Sequence, residues 1–422
     1  MDHGQWKPEK SSLNLQGGPT PVNEAAAPGR VGDVRRRNLS LVLDSIARTG
    51  DAKPSRAQLA AGTGLTKAAV SSLVADLVES GLVSEVGLYR DGERGRPGQG
   101  LELSSRRGVV GMEINVDYLA VGLVDLGGNL RFHSTVESRN RGLAPEKVME
   151  RLGVLAAEAI AAAAAADISI LGGGLAVPGL VDEQRNLVLS APNLHWEHEE
   201  LNPRSLLEDA PLGVRLSNEA NSAALGELWY GKGQPDFLYV SGEVGVGGGV
   251  IIGSELYTGP GGSAGELGHI VVHPDGPGCS CGGTGCLETF AGQEAIFEAA
   301  GIPEGSLGAR TELLLAALAA QEPQATRAVH DAGKYLGVAL ASSARLMDIE
   351  AVVLGGHFAV LAEWLKPALL TSLDRYAPGL LDPGNLTVSA LEHSGTLLGA
   401  AGQVIRSVIE SPFEFLLASK LA

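Results

Sequence analysis

The chain of 422 residues and 43.4 kDa is too long for one compact core and suits two or three domains. An apolar content of 44% excludes global disorder, and 58 glycines against 4% aromatics point to turn-rich α/β packing of small and aliphatic side chains. The net charge of −17 excludes a generally basic nucleic-acid coat, but the acid is segregated: residues 1–107 hold 15 basic and 12 acidic residues (+3), the remainder 17 and 37 (−20). A small basic front end therefore survives inside an acidic protein.

The stretch 1–30 is polar, rich in Pro and Gly and without period, and is expected to be a disordered tail. Its lack of a signal-peptide apolar region leads to the expectation of a cytoplasmic protein. The most apolar stretch, 154–177, is broken by Glu158, Asp167 and three glycines, so no membrane span is expected.

Residues 31–107 read as one small unit. Leu39, Val42, Leu43 and Ile46 form an apolar stripe on a first helix. Ser55 with Gln58 forms a capping box for a short second helix that ends at Gly62 to Gly64. Thr66 caps a third, whose stripe is Val70, Leu73, Val74 and Leu77 and which Gly81 stops. Two strands, Leu82 to Tyr89 and Gly100 to Leu103, flank a polar loop over 91–99. Small Ala60, turn-making Gly64 and branched Val70 have the spacing of a winged helix-turn-helix, in which two helices cross closely and the second is seated for the major groove. The exposed face then carries Thr66, Lys67, Ala68, Ser71 and Ser72, with Arg94 and Arg96 at the wing tip to clamp phosphate or enter a minor groove. A helical hairpin serving only protein contacts is the alternative.

Residues 108–422 change to an α/β pattern. Val109–Asn115, Tyr118–Asp125 and Asn129–Glu137 read as an antiparallel meander, followed by an Ala-rich helix (Pro145–Ala166) and a buried strand, Ile168–Val177. A similar run follows: Phe237–Ser241, Gly249–Ile252, a long helix (Gln324–Met347), Ala351–Leu354 and a last helix near Leu397–Ile409. Two halves of like order predict a duplicated, actin-like α/β fold with a ligand cleft between its lobes.

All three cysteines fall within eight residues, in Cys279-Ser-Cys281-Gly-Gly-Thr-Gly-Cys286, with His269 upstream. An odd count makes a disulfide framework improbable, whereas three thiolates and an imidazole complete a tetrahedral shell for one structural zinc; reduced, unligated thiols are the alternative.

Glu266-x-Gly-His269, this cysteine block and Gly245-Val-Gly247-Gly248-Gly249 resemble the signature of the ROK family of bacterial repressors and sugar kinases, over essentially residues 109–410. The added winged helix looks like the repressor branch. The resemblance implies a sugar site at Asn193, Asn218, Glu219, Glu266, His269 and Glu288. Carboxylates and amides suit sugar hydroxyls, and buried partners discriminate epimers because an unpaired polar group is costly. His269 then holds zinc through one ring nitrogen and sugar through the other.

ROK kinases also need an early Asp-x-Gly-Gly-Thr loop, and here the stretch reads Glu113-Ile-Asn115-Val116-Asp117, without the glycines that admit phosphate. Glu219 stands where the kinases carry their catalytic Asp, displacing the carboxylate by one methylene. Gly245–Gly249 and Leu354-Gly355-Gly356-His357 still resemble nucleotide segments. The balance predicts that phosphotransfer is lost and sugar binding kept, with no catalytic residue; an ATP-dependent sugar kinase carrying a DNA-binding domain is the alternative. The expected whole is a sugar-responsive repressor, a homodimer with a tetramer as alternative, on palindromic operator DNA. Asn218-Glu-Ala-Asn221 resembles the xylose-repressor subgroup, making D-xylose the first expected effector, then glucose or N-acetylglucosamine.

Overall fold

The structure, a computed structural model, describes residues 31–50, 52–89, 98–231, 234–391, 394–413 and 415. The expected tail and the wing-tip residues Arg94 and Arg96 lie outside the described residues.

The head consists of α1 (Val31–Arg48), α2 (Arg56–Thr63), α3 (Lys67–Glu79) and an antiparallel hairpin of β1 (Val83–Tyr89) and β2 (Gly98–Leu103). Its local signals are realised as physical contacts. Ser55 and Gln58 form the reciprocal capping box of α2, and Gly64 ends that helix in the left-handed region at φ 73°. Thr66 Oγ1 accepts from Ala69 N–H at 3.2 Å to start α3. The stripes of α1 and α3 meet: Leu39, Val42, Leu43 and Ile46 pack with Val70, Leu73, Val74 and Leu77, all buried.

The first lobe follows with β3 (Arg107–Ile114), β4 (Tyr118–Asp125), β5 (Leu130–Glu137), α4 (Pro145–Ala165) and β6 (Ser169–Val177). Three short strands, β7 (Leu180–Asp182), β8 (Leu187–Ala191) and β9 (Trp196–Glu200), form a separate small sheet before β10 (Val214–Asn218) completes the first large one. Then comes α5 (Glu219–Tyr230), and the second lobe has β11 (Phe237–Gly242), β12 (Val246–Ile252) and β13 (Glu255–Leu256). It continues through α6 (Glu288–Ala291), α7 (Gln293–Ala299), α8 (Leu307–Ala319), α9 (Pro323–Met347), β14 (Val352–Gly355), α10 (Gly356–Val360), α11 (Ala362–Tyr376), β15 (Leu386–Val388) and α12 (Gly395–Glu410).

The duplication is explicit in the strand orders, β5-β4-β3-β6-β10 and β13-β12-β11-β14-β15. In both, an antiparallel meander of three strands is extended by two parallel ones. The halves exchange a helix. α5 leaves the first sheet yet buries Ala223, Ala224, Leu225 and Leu228 against Phe237, Tyr239 and Ile251 of the second. α12 leaves the second sheet and buries Leu398, Ala401 and Val404 against Val109, Val124 and Leu171 of the first.

The two exchanged helices cross at very short range because glycine lets them. A Cβ on Gly399 would collide with the Ser222 carbonyl oxygen, and one on Gly226 with that of Gly395. Beyond the crossing, the buried face of α12 continues through Ile405, Val408 and Ile409 into the same apolar core as the stripes of α1 and α3. Arg406 of α12 pairs with Asp44 of α1 at 3.4 Å. The head is therefore mounted on α12, not tethered beside the lobes. Among the described residues no helix is long and apolar enough to cross a membrane.

Candidate functional site

The cleft between the lobes has a cavity volume of about 590 Å³. All six residues expected from the sequence to contact sugar line it: Asn193, Asn218, Glu219, Glu266, His269 and Glu288. They arrive from separate elements: the β8–β9 turn, the end of β10, the first turn of α5, the loop after β13 and the start of α6.

Their engagements differ. Asn218 is the N-cap of α5: its Oδ1 accepts from Asn221 N–H at 2.9 Å and its Nδ2 donates to the Gly179 carbonyl at 2.7 Å, so much of its amide is already committed. Glu288 accepts from Ser280 Oγ at 3.2 Å. Gly245 faces this corner, with Asn193 Nδ2 at 3.2 Å from where its Cβ would stand. Only a glycine leaves the Glu288 carboxylate its place there.

His269 sits between two environments. Its Nδ1 is 3.7 Å from Cys279 Sγ, while its Nε2 is 3.6 Å from Glu266 Oε2 in the cleft. Cys281 Sγ and Cys286 Sγ lie 3.8 Å apart, and the ligand atoms of all four residues fall within 4.8 Å of one another. Tetrahedral bonds of about 2.0–2.3 Å put neighbouring N and S ligands roughly 3.5–3.8 Å apart, so the donor set fits a metal ion of zinc's preferences. Four protein ligands leave no coordination position open for chemistry. The metal would hold His269 in the tautomer that presents Nε2 to Glu266 and the cleft.

A second group of residues was visible in the sequence only as a spoiled loop. Glu113 on β3 is fully buried; Tyr118 Oη donates to its Oε1 at 2.7 Å and its Oε2 has no partner among the described residues. Glu219, buried, and Glu243, half-buried, stand near it. Desolvation first, and then mutual repulsion with Glu243, push the Glu113 carboxyl up to about 8; burial pushes Glu243 up to about 7 and Glu219 well above its usual value. The signal available in the sequence was a lone acid inside an otherwise apolar strand, Met112-Glu113-Ile114.

These raised carboxyls have a stability consequence with a definite sign. The folded state holds protons that the unfolded chain releases near 4.5, so this contribution is full below that pH and is lost as pH rises through about 7 to 8. Urea unfolding at pH 5.5 and 8.5 is expected to show the protein weaker at 8.5, with a smaller difference in Glu113→Gln. An equal difference in both proteins would contradict the assignment.

The glycine run has a structural use. Gly247 and Gly249 lie within β12 where α5 crosses it: added Cβ atoms would stand 2.9 Å from the Ala220 Cβ and 2.5 Å from the Ala224 Cβ. These glycines let a helix press onto a sheet, independently of any phosphate.

In the head, Thr66, Lys67, Ala68, Ser71 and Ser72 are all exposed along one face of α3. Thr66 is partly occupied as a cap, and Ser72 accepts from Arg35 of α1 at 3.4 Å; Arg35 also pairs with Asp76. Arg35, beside this face, was not singled out from the sequence.

A DNA-binding type of head on a two-lobed, sugar-kinase-like body is the class of protein that this fold defines. The ROK family profile matches residues 109–406 and the MarR family profile residues 40–92. The xylose repressor of Bacillus subtilis (strain 168) is 32% identical over 326 residues, 76% of this chain and 82% of that protein. The crystal structure of a ROK family transcriptional regulator, a homologue of the E. coli MLC protein, superposes with a TM-score of 0.73 at 25% identity, covering 91% of this chain and 98% of the other. A ROK family glucokinase from Streptomyces griseus, in complex with glucose and AMPPNP, gives 0.58 at 28% identity over 70% of this chain and 98% of its own. The chain belongs to the ROK family, and its build is that of the family's transcriptional regulators.

Proposed function

We propose that this protein is a repressor that binds a palindromic operator as a homodimer and releases it when an uncharged sugar, D-xylose in the first instance, enters the interlobe cleft. The observation that carries the reading is continuity. The first turn of α5 lines the cleft, α5 is locked to α12, and α12 shares one apolar core with α1 and α3 of the head. A ligand that draws the lobes together turns this crossing and so re-spaces two recognition helices on DNA. The ligand must bind the two arrangements unequally, by a few kcal/mol.

Asn193, Asn218, Glu219, Glu266, His269 and Glu288 are assigned to the sugar, and zinc to His269, Cys279, Cys281 and Cys286. Phosphotransfer is absent in this reading: Glu113-Ile-Asn115 provides side chains where a phosphate requires glycine backbone, and the cleft floor is acidic. The similarity to the B. subtilis xylose repressor supports xylose over glucose and N-acetylglucosamine.

Thr66, Lys67, Ala68, Ser71 and Ser72 are assigned to the major groove, with Arg94 and Arg96 reaching beyond it. Lys67→Ala is expected to weaken operator binding about tenfold and to lower the salt slope by about one, with sugar affinity unchanged. Fluorescence anisotropy at two salt concentrations measures both. Unchanged affinity and slope would remove α3 from the interface. The same assay with D-xylose, glucose and N-acetylglucosamine tests the effector.

A further inference from the structure

We propose that Glu243 is the specificity residue that closes the cleft to phosphate-bearing ligands and reserves it for uncharged polyhydroxy ones. The proposal rests on the reading of the cleft as the effector site and adds a residue to it.

The duplication gives each lobe an equivalent turn, β3–β4 and β11–β12, and Asn115 and Val116 of the first line the same cavity as Glu243 and Val244 of the second. Glu243 stands at the second turn, where its backbone N–H donates to the Gly245 carbonyl at 3.0 Å. Its side chain is half-buried in the wall of the cleft. Asn115 of the first lobe's turn lines the same cavity, and Ser241 Oγ donates to Oε1 at 3.4 Å. Oε1 also lies 2.5 Å from where a Cβ on Gly356 would be, and Gly356, at φ 53° and bridged to Gly242, forms the neighbouring glycine turn. Paired glycine turns of this kind bring backbone close enough to receive an anion. Here the Glu243 side chain stands against the Gly356 turn.

The surroundings reinforce the exclusion. Asp182, Glu183, Glu219, Glu243, Glu266 and Glu288 line the cleft, and among its described lining residues there is no Lys or Arg. Glu113 and Asp117 stand behind the floor; Arg139, Arg141 and Arg310 act on Asp117 and do not line the cavity. A phosphate entering here meets acidic side chains and, among the described lining residues, no Lys or Arg to neutralise it, whereas sugar hydroxyls meet acceptors that they can satisfy.

The test uses the full chain in native form and as Glu243→Gln and Glu243→Gly, titrated calorimetrically with inorganic pyrophosphate and with magnesium AMPPNP. The native protein is expected to bind neither at millimolar concentration. Glu243→Gly is expected to gain pyrophosphate affinity at least tenfold and Glu243→Gln to gain less, both keeping native operator affinity as proof of folding. The proposal is overturned if the native protein binds pyrophosphate as tightly as the variants. It is equally overturned if folded Glu243→Gly gains nothing. Titrating D-xylose, glucose and N-acetylglucosamine into the native protein on its operator separates the two readings: if none of them shifts DNA affinity, the effector reading fails, while the pyrophosphate comparison still decides the role of Glu243.

Discussion

Cys281→Ser is expected to cost the protein its metal and its sugar response together, with operator affinity held within about threefold. The segment from His269 to Cys286 has little regular structure of its own. Two isolated bridges, Val271 with Cys286 and Gly278 with Thr284, pin it, together with a few turn hydrogen bonds. A structural zinc contributes on the order of 10–16 kcal/mol of apparent binding free energy in small domains, far more than such contacts supply. The same metal would orient His269 toward Glu266, and Ser280, between two of its ligands, holds Glu288. Losing it loosens three cleft residues at once, while α1 to α3 keep their own core. Elemental analysis and sugar-induced operator release are the two readouts. A metal-free variant with a full sugar response would refute the coupling.

Gly399→Ala is expected to destabilise the protein by about 2–4 kcal/mol, unusually much for a single added methyl group. Its Cβ would meet the Ser222 carbonyl oxygen, and behind it the Gly226 nitrogen at 2.8 Å, so the obstacle is backbone and cannot rotate away. Gly395→Ala, on the same helix, meets only Leu391 side-chain atoms at 3.6 Å and serves as the control, expected within about 0.5 kcal/mol of native. Urea denaturation measures both. Equal stabilities would mean that the α5–α12 crossing tolerates separation, and the proposed route from cleft to head would lose its rigid link.

The sequence was most informative where local chemistry has one solution. The Ser55–Gln58 box, the Gly64 turn and the two stripes allow little but the head that is observed. The cysteine spacing likewise anticipated the four-residue cluster. Other parts were hidden for physical reasons. Nearly every residue of α5 from Glu219 to Leu228 is buried, so the helix shows no polar face and no period. The small β7–β9 sheet consists of short strands, with His195 in the turn before β9 and His198 within it at positive φ, outside any alternation rule. α11 carries Pro367 inside it, an ordinary stop signal.

The site was half legible. The six residues picked out by pattern all line the cleft, but the committed amide of Asn218 and the place of Glu243 in the wall depend on how the two lobes come together. The glycines of β12 were ambiguous in sequence because a glycine kept for phosphate and a glycine kept for a crossing helix are written alike.

A sugar in the cleft controls the head on DNA in the proposed function. Fluorescence anisotropy of the metal-loaded chain on DNA from upstream of its own gene, at fixed salt and with D-xylose, glucose and N-acetylglucosamine titrated in turn, tests it directly. Tight binding without sugar and release by one uncharged sugar, D-xylose first, is the expected result. Tight binding that no sugar alters would contradict it.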